Sequence, residues 1–273
     1  MGKTFIVDAD KCSACQLCVI ACKDEHVGRG YAPWSAPQPD TGQFWIRIET
    51  KERGAIPRVR VTHLPIHCQH CADAPCMTAC QVGAIKRRDD GLVWIDPALC
   101  DGCGDCQEAC PYDVIYLNDD LKIAQKCTGC AHRVDEGLLP RCVDICPHEA
   151  IVFVDSPVEG TEPLEVYRPE FMTEPTVYWR GLPKPWIAGM LIDAARDEVI
   201  AGATVTAVDL LKSGSLCAQS DEFGEFWIHG LASGCQYSVE ISKPGYRPFR
   251  TVMTADGDQD LGEVRLEAEA ARL

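Results

Sequence analysis

The sequence lacks the features that would take a chain into or across a membrane by itself. Its 273 residues contain no apolar run approaching the roughly 18 residues that a transmembrane helix needs. Residues 1–8 include neither an apolar stretch of signal-peptide type nor a twin-arginine pair. We therefore predict a cytoplasmic protein with no direct membrane span, which is exported only together with a partner that carries the signal.

Basic residues are also scarce. The chain has 26 Lys and Arg against 41 Asp and Glu, which gives a formal net charge of −15. Proteins that bind nucleic acids usually present a basic surface, so we predict no nucleic-acid partner. Apolar residues make up 46% of the chain, an ordinary value for a folded protein, and the length allows two domains.

Cysteine, in contrast, is abundant, and most of it falls into four groups of four. The quartets are Cys12, Cys15, Cys18, Cys22; Cys68, Cys71, Cys76, Cys80; Cys100, Cys103, Cys106, Cys110; and Cys127, Cys130, Cys142, Cys146. The first and third have the spacing C-x2-C-x2-C-x3-C, and the third is followed by proline, as in the bacterial ferredoxin run that holds 4Fe-4S clusters. Structural zinc and a disulfide framework are the alternatives, but zinc usually takes two cysteine pairs per ion and disulfide frameworks suit short secreted chains. We predict four 4Fe-4S clusters.

The two-cluster ferredoxins also indicate how the quartets pair. Their fourth cysteine lies about one helical turn beyond the third and binds the other cluster of the pair. Pairing the outer quartets with each other, and the inner ones likewise, closes each ferredoxin-like unit around two clusters. The predicted ligand sets are Cys12, Cys15, Cys18 and Cys146 for cluster 1; Cys127, Cys130, Cys142 and Cys22 for cluster 2; Cys68, Cys71, Cys76 and Cys110 for cluster 3; and Cys100, Cys103, Cys106 and Cys80 for cluster 4.

Residues 1–155 form the cysteine-rich part, in which short strands and one- or two-turn helices flank the loops. This pattern predicts the ferredoxin plan used twice, with one copy inserted into the other. An insertion at 23–67 interrupts it and contains aromatic residues and a basic run, namely Tyr31, Trp34, Phe44, Trp45, Lys51, Arg53, Arg58 and Arg60. These side chains either shield the clusters from water or dock a larger subunit, and the sequence favours neither.

The remaining residues predict a connector and a second domain. Residues 156–185 are rich in proline, which predicts an extended connector without regular structure. Residues 186–273 contain six or seven short alternating segments separated by Gly, Asp and Ser, which predicts a β-sandwich. Cys217 and Cys235 lie there, outside the quartets, and we predict that both are buried core thiols. The expected fold class is α+β, with two nested ferredoxin-like units and four 4Fe-4S clusters, followed by an all-β immunoglobulin-like sandwich.

Specific motifs carry two resemblances. Cys-Gln-His-Cys-Ala-Asp-Ala-Pro-Cys at 68–76 and Gln-Lys-Cys-Thr-Gly-Cys at 125–130, within four quartets, resemble the iron–sulfur subunits of molybdopterin enzymes of the dimethyl sulfoxide reductase family. The pattern Asp221-x-x-Gly224-x-Phe226 is similar to immunoglobulin-like sandwiches of the carboxypeptidase-regulatory type. A sandwich appended to such a core, with Glu52-Arg53-Gly54, is similar to the small subunit of the transhydroxylase branch that acts on pyrogallol and phloroglucinol.

The family resemblance implies a division of labour. A large catalytic molybdopterin subunit would hold a Mo or W bis-pterin cofactor and act on a polyhydroxylated aromatic ring as a hydroxylase, dehydroxylase or transhydroxylase. This chain would transfer electrons, with an external electron carrier as a second partner, and we find no catalytic constellation in it. Its histidines are expected to be polar donors near the clusters or surface groups. The alternatives are an electron-transfer subunit of a respiratory reductase of the dimethyl sulfoxide, polysulfide, arsenate or nitrate type, and a free polyferredoxin.

Overall fold

A computed structural model describes residues 2–156, 164–212 and 214–269. The chain forms two compact units. Unit 1 comprises Met1–Lys51 and Thr62–Leu182, and unit 2 comprises Glu52–Val61 and Pro183–Leu273. Among the described residues, no helix combines the length and the apolar character needed to cross a membrane.

Unit 1 is built from short elements. In chain order they are β1 (Gly2–Asp8), α1 (Leu17–His26), β2 (Ile46–Ala55), β3 (Arg58–His67), α2 (Pro75–Ala79), β4 (Ile85–Arg87), β5 (Val93–Ile95), α3 (Asp105–Ala109), β6 (Ile115–Asn118), β7 (Ile123–Lys126), α4 (Ala131–Asp135), α5 (Arg141–Asp144), β8 (Ile151–Ser156), β9 (Glu165–Val166) and β10 (Tyr178–Arg180). The hairpins β4–β5 and β6–β7 each follow a cysteine loop, and α1 packs against α5 while α2 packs against α3. This pairing of helices brings distant cysteine runs side by side.

A four-stranded sheet in the order β8-β1-β10-β9 closes unit 1. The strand β1 pairs antiparallel with β8, with Phe5 opposite Phe153, and parallel with β10, with Val7 opposite Trp179. Phe5, Val7 and Trp179 are almost completely buried in the same core as many of the cysteines. The sheet therefore forms an apolar wall for the cysteine loops.

The proline-rich segment differs from the extended connector that the sequence predicted. Residues 164–182 belong to unit 1 and contain β9 and β10, and Tyr167, Val177 and Trp179 are buried there. Proline interrupts regular structure only locally, whereas these apolar side chains are held by contacts with β1 and the cysteine core, far away in sequence. Pro157 and Pro163, which the prediction also used, lie outside the described residues.

Unit 2 is all-β where it is described. Its strands are β11 (Ile187–Asp193), β12 (Thr204–Asp209), β13 (Ser215–Gln219), β14 (Glu225–Ile228), β15 (Gln236–Ser242), β16 (Phe249–Thr254) and β17 (Gln259–Leu266). They form sheets of order β14-β11-β17 and β13-β12-β15-β16. Alternating side chains such as Leu191, Val205, Phe226, Val239 and Ile241 are at most 1% exposed and form one shared core. The period-2 pattern places these residues on one face of each strand.

The tip of the β2–β3 hairpin also belongs to unit 2. Gly54 turns there with a φ of 84°, and a Cβ at this position would collide with the carbonyl of Arg58 and the ring of Trp186. Only glycine adopts this backbone conformation without strain and leaves room for the indole. The hairpin thus interrupts unit 1 in sequence and ends in unit 2.

The prediction that Cys217 is buried is wrong. Its strand β13 is an edge strand whose side chains alternate between exposed and half-buried positions, and Cys217 falls on the exposed face. Cys235 is half-buried and packs against the core of unit 2. Both cysteines are free thiols. The small size and low polarity of cysteine suggested burial, but the position of Cys217 along the pleat places its side chain on the exposed face.

Candidate metal centres

The structure gathers the sixteen quartet cysteines into four groups, each with three from one run and one from another. Site 1 contains Cys12, Cys15, Cys18 and Cys146; site 2 contains Cys22, Cys127, Cys130 and Cys142; site 3 contains Cys68, Cys71, Cys76 and Cys110; and site 4 contains Cys80, Cys100, Cys103 and Cys106. Sites 1, 2 and 3 each surround a small cavity that their four cysteines line. Three cavities with the same four-thiol lining are suited to the same group.

The helices explain why each run serves two sites. Cys18 and Cys22 lie one turn apart on α1, and Cys142 and Cys146 lie in and just after α5. The first cysteine of the α1 pair faces site 1 and the second faces site 2, because residues four apart are separated by one turn along the helix axis. The equivalent residues around α2 and α3 join sites 3 and 4 in the same way.

Main-chain N–H groups point at several of the sulfur atoms. The amides of Ala84 and Ala124 donate to Cys80 and Cys100 Sγ over 3.2 Å each, and that of Gly129 donates to Cys127 Sγ over 3.3 Å. Left-handed residues in the loops, including Gly129 at a φ of 66°, turn these amides inward. Hydrogen bonds to the sulfurs favour the thiolate form and are one of the factors that set cluster potentials.

Burial and mutual repulsion oppose ionisation of the thiols on their own. Burial, together with Cys12, Cys146 and Cys15, raises the pKa of Cys18 to about 12. Burial and the nearby Cys130, Cys127 and Cys142 raise the pKa of Cys22 well above its ordinary value. A bound cation reverses this balance, since coordinated thiols are deprotonated outright. The donor sets therefore fit a positively charged iron–sulfur core.

The arrangement does not suit single ions. Within the described residues, no group of three or more His, Cys, Asp or Glu side chains is placed to hold one metal ion. Tetrahedral zinc needs four ligands at about 2.0–2.3 Å from a single centre. Thiols spread around a cavity match the corners of a cubane instead.

Shared helices and neighbouring thiols show which sites are adjacent to one another. Sites 1 and 2 share α1 and α5, sites 3 and 4 share α2 and α3, and the thiols of Cys127 in site 2 and Cys68 in site 3 are close enough to affect each other electrostatically. The order is therefore 1, 2, 3, 4. Cys15 at one end and Cys103 at the other are exposed, whereas every cysteine of sites 2 and 3 is buried or half-buried.

A lysine that the sequence analysis did not single out lies between sites 2 and 3. Lys126 is 2% exposed, and its Nζ donates to Cys68 Sγ over 3.4 Å and to the carbonyl of Cys127 over 2.9 Å. Burial lowers the pKa of Lys126, but the thiolates of Cys68, Cys76 and Cys127 outweigh burial and raise it. The available signal was a lysine at the end of an otherwise uncharged strand, directly before a quartet cysteine.

Two histidines occupy similar positions beside the cysteines. His70 accepts a hydrogen bond from the amide of Val93 at Nδ1 over 3.0 Å, which leaves Nε2 as the protonated nitrogen, 4.0 Å from Cys127 Sγ. His26 Nε2 lies 3.9 Å from Cys130 Sγ. Burial and the nearby His132 lower the pKa of His26 to about 3, so this ring is neutral at pH 7. From the sequence, histidine side chains were expected beside the cysteine sites, and these two rings occupy such positions.

The insertion contributes to both shielding and internal packing. Trp45 is 2% exposed and lines the site 2 cavity, and the ring of Tyr31 stacks on His132 at 3.7 Å, whereas Phe44 remains exposed. Part of the basic run binds within unit 2. Arg53 pairs with Asp258 at 3.0 Å, and Arg58 pairs with Asp260 at 2.9 Å. Arg60 lies over the ring of Trp227 at 4.4 Å. These three arginines are used inside the chain.

Comparisons with known proteins match both parts of the chain. A 4Fe-4S dicluster domain model matches residues 59–156, and a carboxypeptidase regulatory-like domain model matches 187–267. The pyrogallol hydroxytransferase small subunit of Pelobacter acidigallici is 35% identical over 96% of this chain and 98% of its own length. A subunit of the tetrathionate reductase of Salmonella typhimurium is 31% identical over 68% of this chain and 75% of its own length. A chain of the anaerobic dimethyl sulfoxide reductase of Escherichia coli is 35% identical over 55% of this chain and 71% of its own length.

These matches define an iron–sulfur protein with a 4Fe-4S domain and a C-terminal all-β domain. The protein belongs to the family of electron-transfer iron–sulfur subunits of molybdopterin oxidoreductases. The resemblance drawn from the cysteine motifs is thereby confirmed, and a free polyferredoxin is not favoured.

Proposed function

We propose that this protein binds four 4Fe-4S clusters, one at each of sites 1 to 4, through the sixteen cysteines of the quartets. The observation that carries this proposal is the grouping of three cysteines from one run with one from another, around a shared cavity at sites 1, 2 and 3. Bound clusters would supply one-electron carriers. The protein supplies the thiolates, the inward-pointing amides and an apolar environment.

The sites form one path with two accessible ends. Site 1 has the exposed Cys15, and beside it on α1 the apolar side chains of Leu17 and Ile20 are 40% and 61% exposed. Exposed apolar residues next to a redox site suit the surface of a permanent partner. We place the large subunit with its Mo or W bis-pterin cofactor at site 1. The external carrier belongs at site 4, where Cys103 is exposed.

The substrate class follows from the extent of similarity. The pyrogallol hydroxytransferase small subunit matches 96% of the chain, including unit 2, whereas the relatives from the tetrathionate and dimethyl sulfoxide reductases match 68% and 55%. This favours a partner that acts on a polyhydroxylated aromatic ring over a respiratory reductase. The strands of unit 2 from β11 onwards then form an immunoglobulin-like sandwich of the carboxypeptidase-regulatory type, and the four-cluster domain corresponds to unit 1, which extends beyond the predicted bounds of 1–155.

Four complete sites favour net electron transfer. Moving a hydroxyl group between two aromatic rings requires no electrons from outside, whereas a hydroxylase or a reductive dehydroxylase must exchange them with a carrier. A path that reaches the surface at both ends serves the second kind of reaction. Full turnover of the isolated complex without any donor or acceptor would contradict this part of the proposal.

The decisive experiment is anaerobic purification of the native complex, followed by metal analysis. We expect about 16 iron per copy of this chain and one Mo or W in a large partner. Cys142→Ser, which removes a buried ligand of site 2, should lower the iron content by about four, one cubane's worth. Cys217→Ser is the matched control, because this exposed cysteine lies outside the quartets, and it should leave iron unchanged. Zinc in place of iron would overturn the proposal.

A further inference from the structure

Lys126 is a buried cation that has no carboxylate partner among the described residues. Its Nζ donates hydrogen bonds to the carbonyls of Val93 and Cys127 and to Cys68 Sγ, and the side chain is 2% exposed. A buried ammonium is unfavourable unless opposite charge lies nearby. Among the described residues, the one group reached by its hydrogen bonds that can carry negative charge is Cys68 Sγ.

Lys126 contacts residues of two neighbouring sites. It lines the cavity of site 3 together with Cys68 and Cys76, and its Nζ donates to the carbonyl of Cys127, which belongs to site 2. The peptide group of Val93 fixes the arrangement, because its carbonyl accepts from Lys126 while its amide donates to His70 Nδ1. His70 in turn donates its own amide to Cys68 Sγ and directs Nε2 toward Cys127 Sγ. A hydrogen-bonded group of Lys126, Val93 and His70 therefore separates the two central sites.

We propose that Lys126 is a shared counter-charge for the clusters at sites 2 and 3, which raises the reduction potentials of these two clusters. The proposal rests on the proposed function, since it assumes clusters at these sites. A fixed positive charge stabilises the more negative, reduced form of a neighbouring cluster. The effect is larger at site 3, where Nζ contacts a ligand sulfur directly. Lys126 acts through the ligands as a positioning residue and takes no part in catalysis.

The test is a potentiometric titration of the purified complex, followed by electron paramagnetic resonance, with three variants. Lys126→Met removes the charge and keeps a similar length, Lys126→Gln removes the charge and keeps a donor, and Lys126→Arg keeps the charge. Lys3→Met is the matched control, because Lys3 pairs at the surface with Asp155 at 2.5 Å. Iron content is measured on every sample, so a failure of the proposed function, seen as iron well below about 16 per chain in the unmodified protein, is distinguished from a failure of this inference.

We expect the neutral variants to lower two of the four potentials, one more than the other, and to leave the other two in place. Lys126→Arg and Lys3→Met should leave all four close to their original values. Equal shifts of all four potentials, or no shift at normal iron content, would overturn the proposal. Loss of iron in both neutral variants but not in Lys126→Arg would support the counter-charge role, whereas loss in all three variants at Lys126 would contradict it.

Discussion

The two units of this chain build their cores from different kinds of side chain. In unit 1, seven of the buried core side chains are cysteines, and the helices are only 4 to 10 residues long. In unit 2 the core consists of aliphatic and aromatic side chains on strands of 4 to 8 residues, with both sheets contributing. The buried core of unit 1 holds seven ionisable thiols, whereas among the described residues the buried core of unit 2 contains a single ionisable side chain, that of Tyr237.

The difference shows where each unit obtains its stability. Isolated helices shorter than about 12 residues are marginal in water, so the helices of unit 1 depend on tertiary contacts. Those contacts converge on cysteines that need a bound cation to be buried favourably as thiolates. Unit 2 has an ordinary apolar core that requires no ligand. We therefore expect unit 1 to fold with its clusters and unit 2 to fold without them.

Removal of iron should separate the two units most clearly. Treatment of the full chain with an oxidant and a chelator is expected to abolish amide protection across residues 2–51 and 62–156, because the buried thiols lose their cation. Peptides from residues 187–212 and 214–266 should keep their protection, which provides the internal control. Hydrogen exchange with mass spectrometry measures both at once. Equal loss of protection in the two units would refute the comparison.

A cavity in unit 2 should have the opposite effect. Leu191 is fully buried on β11, and Leu191→Ala is expected to destabilise unit 2 by about 3 kcal/mol through lost burial and an unfilled cavity. Protection of unit 2 peptides against exchange measures this change, and the iron content should stay constant. Leu211→Ala, at a side chain that is 79% exposed, is the control and should change stability by less than about 0.5 kcal/mol. A loss of iron in Leu191→Ala would show that the units depend on each other.

Local spacing made some of these features predictable. Three cysteines within seven residues curl around one centre, and a fourth lies one helical turn later. The loops, and the grouping of each fourth cysteine with another run, could therefore be predicted from short stretches of sequence. The strands of unit 2 are equally local, since alternation along β11, β12 and β15 marks the buried face. The 4Fe-4S domain and the all-β domain needed no distant information.

The features that were missed depend on distant contacts. The strands β9 and β10 are too short and too close to proline to be recognised, and they exist because Trp179 and Tyr167 are buried in the core of unit 1. From the sequence, only shielding of the clusters or docking of a larger subunit was considered for the run that contains Arg58, yet the partners of this arginine, Asp260 and Glu225, lie more than 160 residues away. Nothing in a single sequence indicates which carboxylates an arginine meets after folding.

The hairpin tip gives a smaller effect that also tests the comparison. Arg58 is 5% exposed and donates to both carboxylate oxygens of Asp260 at 2.9 and 3.1 Å. Arg58→Met should destabilise unit 2 by about 1–2 kcal/mol, less than loss of a fully buried pair, because Asp260 retains access to water. Arg250→Met is the control, since Arg250 pairs with Glu240 at the surface and should contribute at most about 0.5 kcal/mol. Urea unfolding followed through unit 2 peptides distinguishes them, and equal effects would argue against a structural role for the tip.

The smallest expected effect depends on pH and is confined to unit 2. The hydroxyl of Tyr246 donates to Asp193 Oδ2 over 2.7 Å and, with the amides of Ala195 and Arg196, holds the pKa of Asp193 below its ordinary value. A carboxyl whose pKa is lowered by folding contributes stability above its unfolded pKa, and this contribution is lost as the pH falls through the folded pKa.

Replacing Tyr246 with Phe removes the largest of these hydrogen bonds and leaves the two amides in place. Tyr246→Phe should therefore unfold at lower urea than the unmodified chain at pH 7, and the difference should shrink as the pH falls below the ordinary aspartate pKa of about 3.9. Tyr237→Phe is the matched control, because its hydroxyl accepts a hydrogen bond from the uncharged amide of Ala232 at 2.9 Å. Its cost should not vary with pH. A difference for Tyr246→Phe that stays constant with pH would show that the hydroxyl acts on packing and not through the charge of Asp193.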